Sequence, residues 1–483
     1  MASIDTGGMG QTVARNALFL LIAKAVSTAL GVVLVLFMAR NLGDSEFGIY
    51  TIGLAIGGIC GILADVGLNN LTTRQLAKDP SSASGLLGNV ISIKLLLAVP
   101  VAVCAFLVLV LFDYTPYTRD LILIIVANLL LFNGLHSFYY HVIEGFQRMQ
   151  YITILEVIKR ITYLCAGFYA IHFGYGILTF VIGLLICDLI NLLIIWWICR
   201  RSFGIRINFG VTIQKWPGLI RTALPFGLLV AFTMILSSTD VVMIGALHSE
   251  ESAGWYGAAT RLISTLSLIP LMSASAMFPS VSKLHHEAPG EGGEILTDVI
   301  RPMVLMGIPI AVGTTMLAEP IVILLFKQEY ILAAPALSIL IWSLCLNFVS
   351  LPMVFFLSAV DRQVYATTSM GFCALLNIIL NTYLIPTYGL IGASITTVIS
   401  QAALLGFCYI ALRNKVSNVV LVKNILQGGL ASVGLWYYLT IAPSLHLIFV
   451  IGLAIPFYVL LLIVVRALKK EDWYKCKHLL NPR

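Results

Sequence analysis

Long apolar segments are the feature that most constrains what this chain can fold into. Runs of more than about 18 residues with few charges, the length needed to cross a bilayer, recur from one end of the sequence to the other. The runs are continuous, whereas the strands of a membrane β-barrel alternate apolar and polar residues. We therefore expect an all-α polytopic membrane protein.

The composition agrees with this fold class. Charged residues make up 11% of the chain and the mean hydropathy is +0.98, whereas soluble domains carry about 25% charged residues. The loops are short, which excludes a large soluble domain, and the first run is too long for a signal peptide, so we expect a retained helix. Fourteen spans are predicted, near 17–38, 46–68, 86–112, 118–142, 150–172, 175–199, 218–247, 253–279, 300–326, 331–357, 363–385, 388–412, 423–443 and 445–466.

The distribution of positive charge predicts the orientation. Of the 29 Lys and Arg residues, 21 fall on the side of the N-terminus, three on the opposite side and five inside spans. The positive-inside rule therefore places both termini in the cytoplasm. The cell (cytoplasmic) membrane is the expected location. Because the net charge of +7 follows this topology, no nucleic-acid partner is predicted.

Short sequence echoes indicate an internal duplication. They recur at an offset of about 214 residues, as "LF" at 111–112 and 325–326, "RMQY" at 148–151 and "RQVY" at 362–365, and "GYG" at 174–176 and "TYG" at 387–389. A duplicated unit of six helices enters the membrane twice in the same orientation, so the two copies should be related by a pseudo-two-fold axis along the membrane normal.

The duplication predicts how the chain is organised. Two six-helix lobes are followed by two extra helices that lie outside the repeat. The predicted segments are an N-terminal lobe at 1–200, a cytoplasmic linker at 201–217, a C-terminal lobe at 218–413, and helices 13 and 14 with a basic cytoplasmic tail at 414–483.

No pattern of enzymatic or metal-binding residues emerges from the sequence. The nine cysteines contain no CxxC pair, and His285 and His286 lack a third ligand nearby. We therefore predict no metal, no cofactor and no catalytic residues.

Five stretches, in order along the chain, resemble a known family. The chain is similar to the polysaccharide transporter (oligosaccharide flippase) branch of the MOP superfamily, which also contains the lipid II flippases and the MATE drug antiporters. The stretches are "ARNLGDSEFGIYTI" (39–52), "LADVGLNNLTTRQLAK" (63–78), "DVVMIGALHSEESAGWYGAATRL" (240–262), "LAEPIVILLFKQEYILAAPAL" (317–337) and "NIILNTYLIPTYGLIGASITTVIS" (377–400).

The resemblance implies a flippase that moves a polyprenyl-diphosphate-linked oligosaccharide from the cytoplasmic to the outer leaflet by alternating access. Membrane lipid and glycan-assembly enzymes are its expected partners. One alternative is a MATE-like cation-coupled exporter of small amphipathic molecules, which would require a cavity with a net negative charge. A membrane enzyme is a third possibility, but it usually needs a large extracytoplasmic loop or clustered acids.

Charged residues inside spans are costly and usually face a cavity or one another, so each is a candidate site. The basic residues are as numerous as the acidic ones, which favours an anionic substrate over a cationic one. They are Lys24, Lys94, Lys159, Arg160 and Arg261, with the acids Asp65, Glu156, Asp188, Asp240 and Glu319.

Asp240 and Arg261 lie at matching depths in two helices of a predicted hairpin, about 10–12 Å from its end at 1.5 Å per residue. One interpretation is an ion pair that holds the hairpin together. The other is that Arg261 contacts an anionic substrate while Asp240 orients it or takes up a coupling proton. Both interpretations stay open.

Lys24 is a candidate diphosphate contact, because the first helices of both lobes line the cavity in the family. The alternative for Lys24, and also for Lys94, is that the side chain reaches the headgroups. Asp65 is a candidate for a charge pair or a hinge at the end of span 2.

A second group of charges lies in spans 5 and 6. Glu156, Lys159 and Arg160 have the spacing i, i+3, i+4, which fits either a self-neutralising cluster or a binding site that includes Arg160. Asp188 is expected to pair with Lys159 or Arg160.

Overall fold

The computed structural model describes residues 6–80, 83–174, 176–204, 212–287, 292–415, 418–441 and 447–467. Side chains are described in these ranges from residue 26 onward, apart from residues 84, 286, 418 and 419.

The described residues form α-helices joined by short turns, and no β-strand occurs among them. The predicted all-α class is confirmed. The helices are α1 (Thr6–Asp65), α2 (Leu68–Lys78), α3 (Ala83–Leu111), α4 (Pro116–Asn128), α5 (Gly134–Gly145), α6 (Met149–His172), α7 (Gly176–Ser202), α8 (Trp216–Leu247), α9 (Glu250–Leu266), α10 (Leu268–Glu287), α11 (Gly293–Met316), α12 (Ala318–Phe326), α13 (Ala333–Ala359), α14 (Gln363–Leu412), α15 (Asn418–Ile441) and α16 (Leu447–Val464).

Two of the longest helices are interrupted by glycine. Gly43 in α1 has φ 82° and ψ 175°, and Gly389 in α14 has φ 56° and ψ −131°. L-residues rarely adopt such a backbone, whereas glycine adopts it without steric penalty. Each glycine therefore divides one continuous helix into two spans.

These breaks account for the number of spans. Ten helical stretches of the described chain are long and apolar enough to cross a membrane, and two of them contain the broken helices. Dividing these at their glycines gives twelve spans, and the helices α6 and α15, which have 24 residues each but are not among the ten, bring the number in the described residues to fourteen. This agrees with the predicted number.

The chain separates into two compact units, Met1–Gly257 and Ala258–Arg483. In the first unit, α2, α3, α5 and α7 share a core of leucine, isoleucine and aromatic side chains that includes Leu71, Phe138 and Ile195. The predicted lobe boundaries were derived from a sequence repeat, whereas these units are defined by compactness. The division into two six-helix lobes therefore stays a prediction.

In the second unit, α11 and α13 pack together through Met303, Ile341 and Phe348. Helices α15 and α16 pack against α11 at Leu305, whose carbonyl accepts a 2.9 Å hydrogen bond from the hydroxyl of Tyr458. The two C-terminal helices thus belong to this unit through both apolar and polar contacts.

Candidate functional site

Among the described residues of the first unit, three ion pairs join the charged residues that were predicted as site candidates. Three lysine or arginine residues meet three carboxylates, and each pair also has neutral polar partners. Burial of an unpaired charge is very costly in a membrane, so pairing is the expected outcome for charges that do not face water.

The Asp188 carboxylate is the most deeply buried member, with 1% of its side chain exposed. Its Oδ1 lies 3.2 Å from Lys159 Nζ and accepts a 2.6 Å hydrogen bond from the Tyr163 hydroxyl. Its Oδ2 accepts a 2.8 Å hydrogen bond from Asn128. Of the two predicted partners of Asp188, Lys159 and Arg160, Lys159 is the one that forms the ion pair.

Lys94 is held inside the helices and does not extend to the headgroups. Only 7% of the residue is exposed, and its Nζ contacts Asp65 Oδ1 at 2.8 Å, Asn69 Oδ1 at 2.9 Å and the Gly134 carbonyl at 3.3 Å. An ammonium has three N–H donors, so these acceptors use all of them. Its predicted role in substrate binding stays a prediction.

A π-helical turn, Leu129–Asn133, lies between α4 and α5 and separates the residues that serve the two pairs. Asn128, which donates to Asp188, precedes the turn, and Gly134, which accepts from Lys94, follows it. Widened turns of this kind are frequent at functional sites. Here the turn sets the positions of two groups that bind buried charges.

Arg160 and Glu156 form the third pair, on one face of α6, with 3.5 Å between Arg160 Nη2 and Glu156 Oε1. The buried hydroxyl of Ser27 in α1 donates to Glu156 Oε1 at 2.8 Å and accepts from Arg160 Nε at 3.1 Å. This pair is the most accessible of the three, with 30% of the Arg160 side chain and 21% of the Glu156 side chain exposed.

Arg160 lies eleven residues into α6, about 16 Å along its axis at 1.5 Å per residue. This distance is about half the thickness of the hydrocarbon core. A partly exposed charge near the middle of a membrane-spanning helix is expected to face a polar space, because contact with lipid would be very costly.

The remaining predicted site residues are placed less completely. Lys24 lies in α1, but its side chain is outside the described part of the structure. Asp240 is buried in α8 and accepts a 2.6 Å hydrogen bond from the Tyr256 hydroxyl. Arg261, in α9, belongs to the other compact unit, so its predicted pairing with Asp240 stays a prediction.

Neutral polar residues around the charges were not predicted from the sequence. Ser27, Asn128 and Tyr163 each complete an ion pair, and the signal that could have found them is a polar residue within an apolar run. The aromatic run 137–140, which could have stacked on sugars, contributes Phe138 and Tyr139 to the buried core instead.

Helix α1 also makes very close contacts with α8 and α9. Near the break at Gly43, Gly48 packs on the Glu250 carbonyl and Gly254 on the Asp44 carbonyl, where a Cβ atom would overlap either oxygen. Trp255 Nε1 also donates to the Asp44 carboxylate at 2.9 Å.

The opposite end of the same span is closed in a similar way. Gly67, in the two-residue turn between α1 and α2, packs on the backbone of α8 at Gly227, where a Cβ on either residue would overlap the other chain segment. Glycine thus allows α8 and α9 to contact both ends of the second half of α1.

Sequence comparison assigns the family. A family model described as polysaccharide biosynthesis protein matches residues 13–285, more than half of the chain. The chain belongs to this family of polysaccharide biosynthesis proteins. A second model, described as MatE, matches residues 225–383. The resemblance to the polysaccharide transporters of the MOP superfamily is therefore confirmed.

Relatives of this polysaccharide biosynthesis protein carry transport descriptions. A probable low-salt glycan biosynthesis flippase of Haloferax volcanii is 25% identical over 80% of this chain and 81% of its own length. A putative O-antigen transporter of Shigella flexneri is 24% identical over 82% of this chain and 98% of its own length.

Solved structures share the fold. The lipid II flippase MurJ in an inward closed conformation matches with a TM-score of 0.78 at 18% identity, over 95% of this chain and all of the other. An inward-facing multidrug resistance MATE transporter of the MOP superfamily matches with a TM-score of 0.66 at 12% identity, over 80% of this chain and 95% of the other. At these identities, the likeness establishes the fold alone.

Proposed function

We propose that this protein is a flippase that carries a polyprenyl-diphosphate-linked oligosaccharide from the cytoplasmic to the outer leaflet of the cell membrane. The proposal is supported by membership of a polysaccharide biosynthesis family and by two relatives described as a flippase and an O-antigen transporter. The structural observation that carries it is Arg160, a partly exposed cation near the middle of the 24-residue helix α6.

The chemistry of the cargo explains why such a cation is needed. Moving an unpaired hydroxyl into an apolar medium costs roughly 2–7 kcal/mol, and an ionised group costs far more. A diphosphate therefore needs cations along its path, whereas the polyprenyl tail can stay in lipid. Arginine suits this task because its planar guanidinium binds phosphate oxygens through two parallel hydrogen bonds.

Three residues are the proposed anion contacts: Arg160, Lys24 and Arg261. We assign Lys94 a supporting role, because its three donors are committed to protein acceptors. Asp65 and Asp188 are the counter-charges that keep Lys94 and Lys159 in place. Asp240 is proposed to orient Arg261 or to take up a coupling proton.

Transport is proposed to proceed by alternating access between two six-helix lobes, with both termini in the cytoplasm. The close contacts of α1 with α8 and α9 support this proposal, since glycine at a helix contact allows surfaces to meet closely and to separate again without trapped side chains. Enzymes that build or polymerise the glycan are the proposed protein partners, and the protein itself is proposed to catalyse no reaction.

Export of small amphipathic cations is the second candidate, favoured by the MatE match over residues 225–383. It predicts a different cellular defect. Loss of a flippase leaves lipid-linked glycan behind, whereas loss of a cation exporter makes cells sensitive to cationic dyes.

The decisive experiment is deletion of the gene, followed by mass spectrometry of the lipid extract. We expect a build-up of polyprenyl-diphosphate oligosaccharide and a loss of surface glycan, both reversed by the wild-type gene. Genes encoding Lys24→Ala or Arg261→Ala should not restore export, although the protein reaches the membrane at wild-type levels. Lys283→Ala, at an exposed ion pair, should restore it fully.

Two outcomes would contradict the proposal. Unchanged lipid intermediates together with sensitivity to cationic dyes would favour the exporter. Full export by both Lys24→Ala and Arg261→Ala would show that these two anion contacts are wrong.

A further inference from the structure

A carboxylate of the protein itself occupies part of the anion-binding side of Arg160. Glu156 Oε1 lies 3.5 Å from Arg160 Nη2, and Ser27 holds both groups by donating to the carboxylate at 2.8 Å and accepting from Arg160 Nε at 3.1 Å. Ser27 is 1% exposed. A buried hydroxyl therefore fixes the positions of both charged groups, which is not the case for a chance contact between surface side chains.

This pair differs from the Lys94 pair in how fully its cation is used. The ammonium of Lys94 has three acceptors, one for each of its N–H donors. Arg160 has five N–H donors, and within the described residues only its Nε and Nη2 groups have partners. Donors thus remain for a second anion.

The ion pair itself is also weaker than this geometry permits. A guanidinium and a carboxylate interact best through two parallel hydrogen bonds at about 2.7–2.9 Å. In the Glu156–Arg160 pair, Oε1 and Nη2 are 3.5 Å apart, and both side chains are partly exposed. The contact neutralises charge, but it does not use the full binding capacity of the guanidinium.

We infer that Glu156 is a placeholder anion, which the diphosphate of the cargo displaces from Arg160 and which returns when the cargo leaves. This inference rests on the proposed flippase function. A cation at this depth needs a counter-charge when no cargo is bound, and a fixed carboxylate supplies one. Competition from the carboxylate also weakens cargo binding, which makes release into the outer leaflet faster.

The inference is tested by binding of farnesyl diphosphate, a short isoprenoid diphosphate, to the full chain in lipid nanodiscs. Glu156→Gln keeps the shape of the side chain and removes the competing charge, so we expect the Kd to fall about fivefold. Arg160→Gln should raise the Kd at least tenfold. Isothermal titration calorimetry measures both values.

A matched control is available at Glu287, whose carboxylate also pairs with a cation four residues away, Lys283, but on an exposed part of α10. Glu287→Gln should leave the Kd unchanged. If Glu156→Gln does not fold, Glu156→Asp retracts the carboxylate by one methylene, keeps the charge and should lower the Kd by a smaller factor.

Equal or weaker binding by the Glu156 variants, or unchanged binding by Arg160→Gln, overturns the placeholder role. A wild-type protein that restores glycan export but does not bind farnesyl diphosphate also overturns it and leaves the flippase function intact. The proposed function fails separately, if deletion of the gene causes no build-up of lipid-linked glycan.

A slower release step provides a second readout. In cells, Glu156→Gln should export glycan more slowly than the wild type at the same protein level, although its purified form binds the diphosphate more tightly. A purely structural role for Glu156 predicts weaker binding together with slower export, which would contradict the inference.

Discussion

Replacing Asp188 with alanine removes the acceptor shared by three buried donors, those of Lys159, Tyr163 and Asn128. The lysine ammonium is then left without its counter-charge at a site where 12% of its side chain is exposed. Breaking a buried ion pair by removing one partner costs about 3–5 kcal/mol. This is a large part of the 5–15 kcal/mol by which folded proteins are typically stable.

A double replacement separates the charge effect from the loss of packing. Asp188→Leu combined with Lys159→Met replaces both charges with apolar side chains, and such replacements are often close to neutral. We therefore expect the double variant to lose less free energy of unfolding than Asp188→Leu alone or Lys159→Met alone. The coupling energy between the two sites should exceed about 2 kcal/mol.

These free energies are measured by unfolding the purified protein with increasing concentrations of a denaturing detergent and recording its tryptophan fluorescence. Lys283→Met and Glu287→Gln, which remove the exposed pair of α10, serve as controls and should each change stability by about 0.5 kcal/mol or less. The reasoning is refuted if the free-energy losses of Asp188→Leu and Lys159→Met add up to the loss of the double variant, because the ion pair then does not stabilise the unit.

Three further changes test other parts of the structure. Arg160→Ala should abolish export of the lipid-linked glycan at unchanged protein level, as measured by mass spectrometry of cell lipids. Normal export by this variant would show that Arg160 is not an anion contact. Gly254→Ala should force apart two helices that now meet at the backbone and lower the midpoint of thermal unfolding, whereas Gly61→Ala, with no described atom within 4 Å of its new methyl group, should not. Tyr256→Phe removes the hydroxyl that donates to the buried acid of α8 and should cost about 1–3 kcal/mol of unfolding free energy, whereas Tyr388→Phe, on an exposed side chain, should cost almost nothing. Equal losses at the two tyrosines would contradict the assigned hydrogen bond.

Much of the fold could be predicted because crossing a membrane is a local requirement. About twenty apolar residues in a row are sufficient to specify a span, whatever the rest of the chain does. The short break at Gly43 between two spans follows from a single residue type that tolerates positive φ. For the same reason, the cost of a charge in a span singled out Asp188 and Arg160 as residues that need a partner.

The neutral residues of the site could not be predicted in this way. Ser27 and Asn128 carry no charge, so a single serine or asparagine in an apolar run is no signal of a functional position. Their roles depend on the distance to Arg160 and to Asp188 in other helices, which the sequence of one helix does not contain.

The sequence by itself determined the membrane class, the number of spans and the set of charges that must be compensated, because hydrophobicity and charge belong to each residue. Only the tertiary structure decided which charges meet. Lys159 and Arg160 are neighbours in sequence, yet about 100° of helical rotation separates them, and one faces Asp188 while the other faces Glu156 and Ser27. The 100° offset is a property of any α-helix, but the direction in which each face of α6 points is set by its packing against α1 and α7. Which partner each of the two side chains meets is therefore a property of the assembled helices.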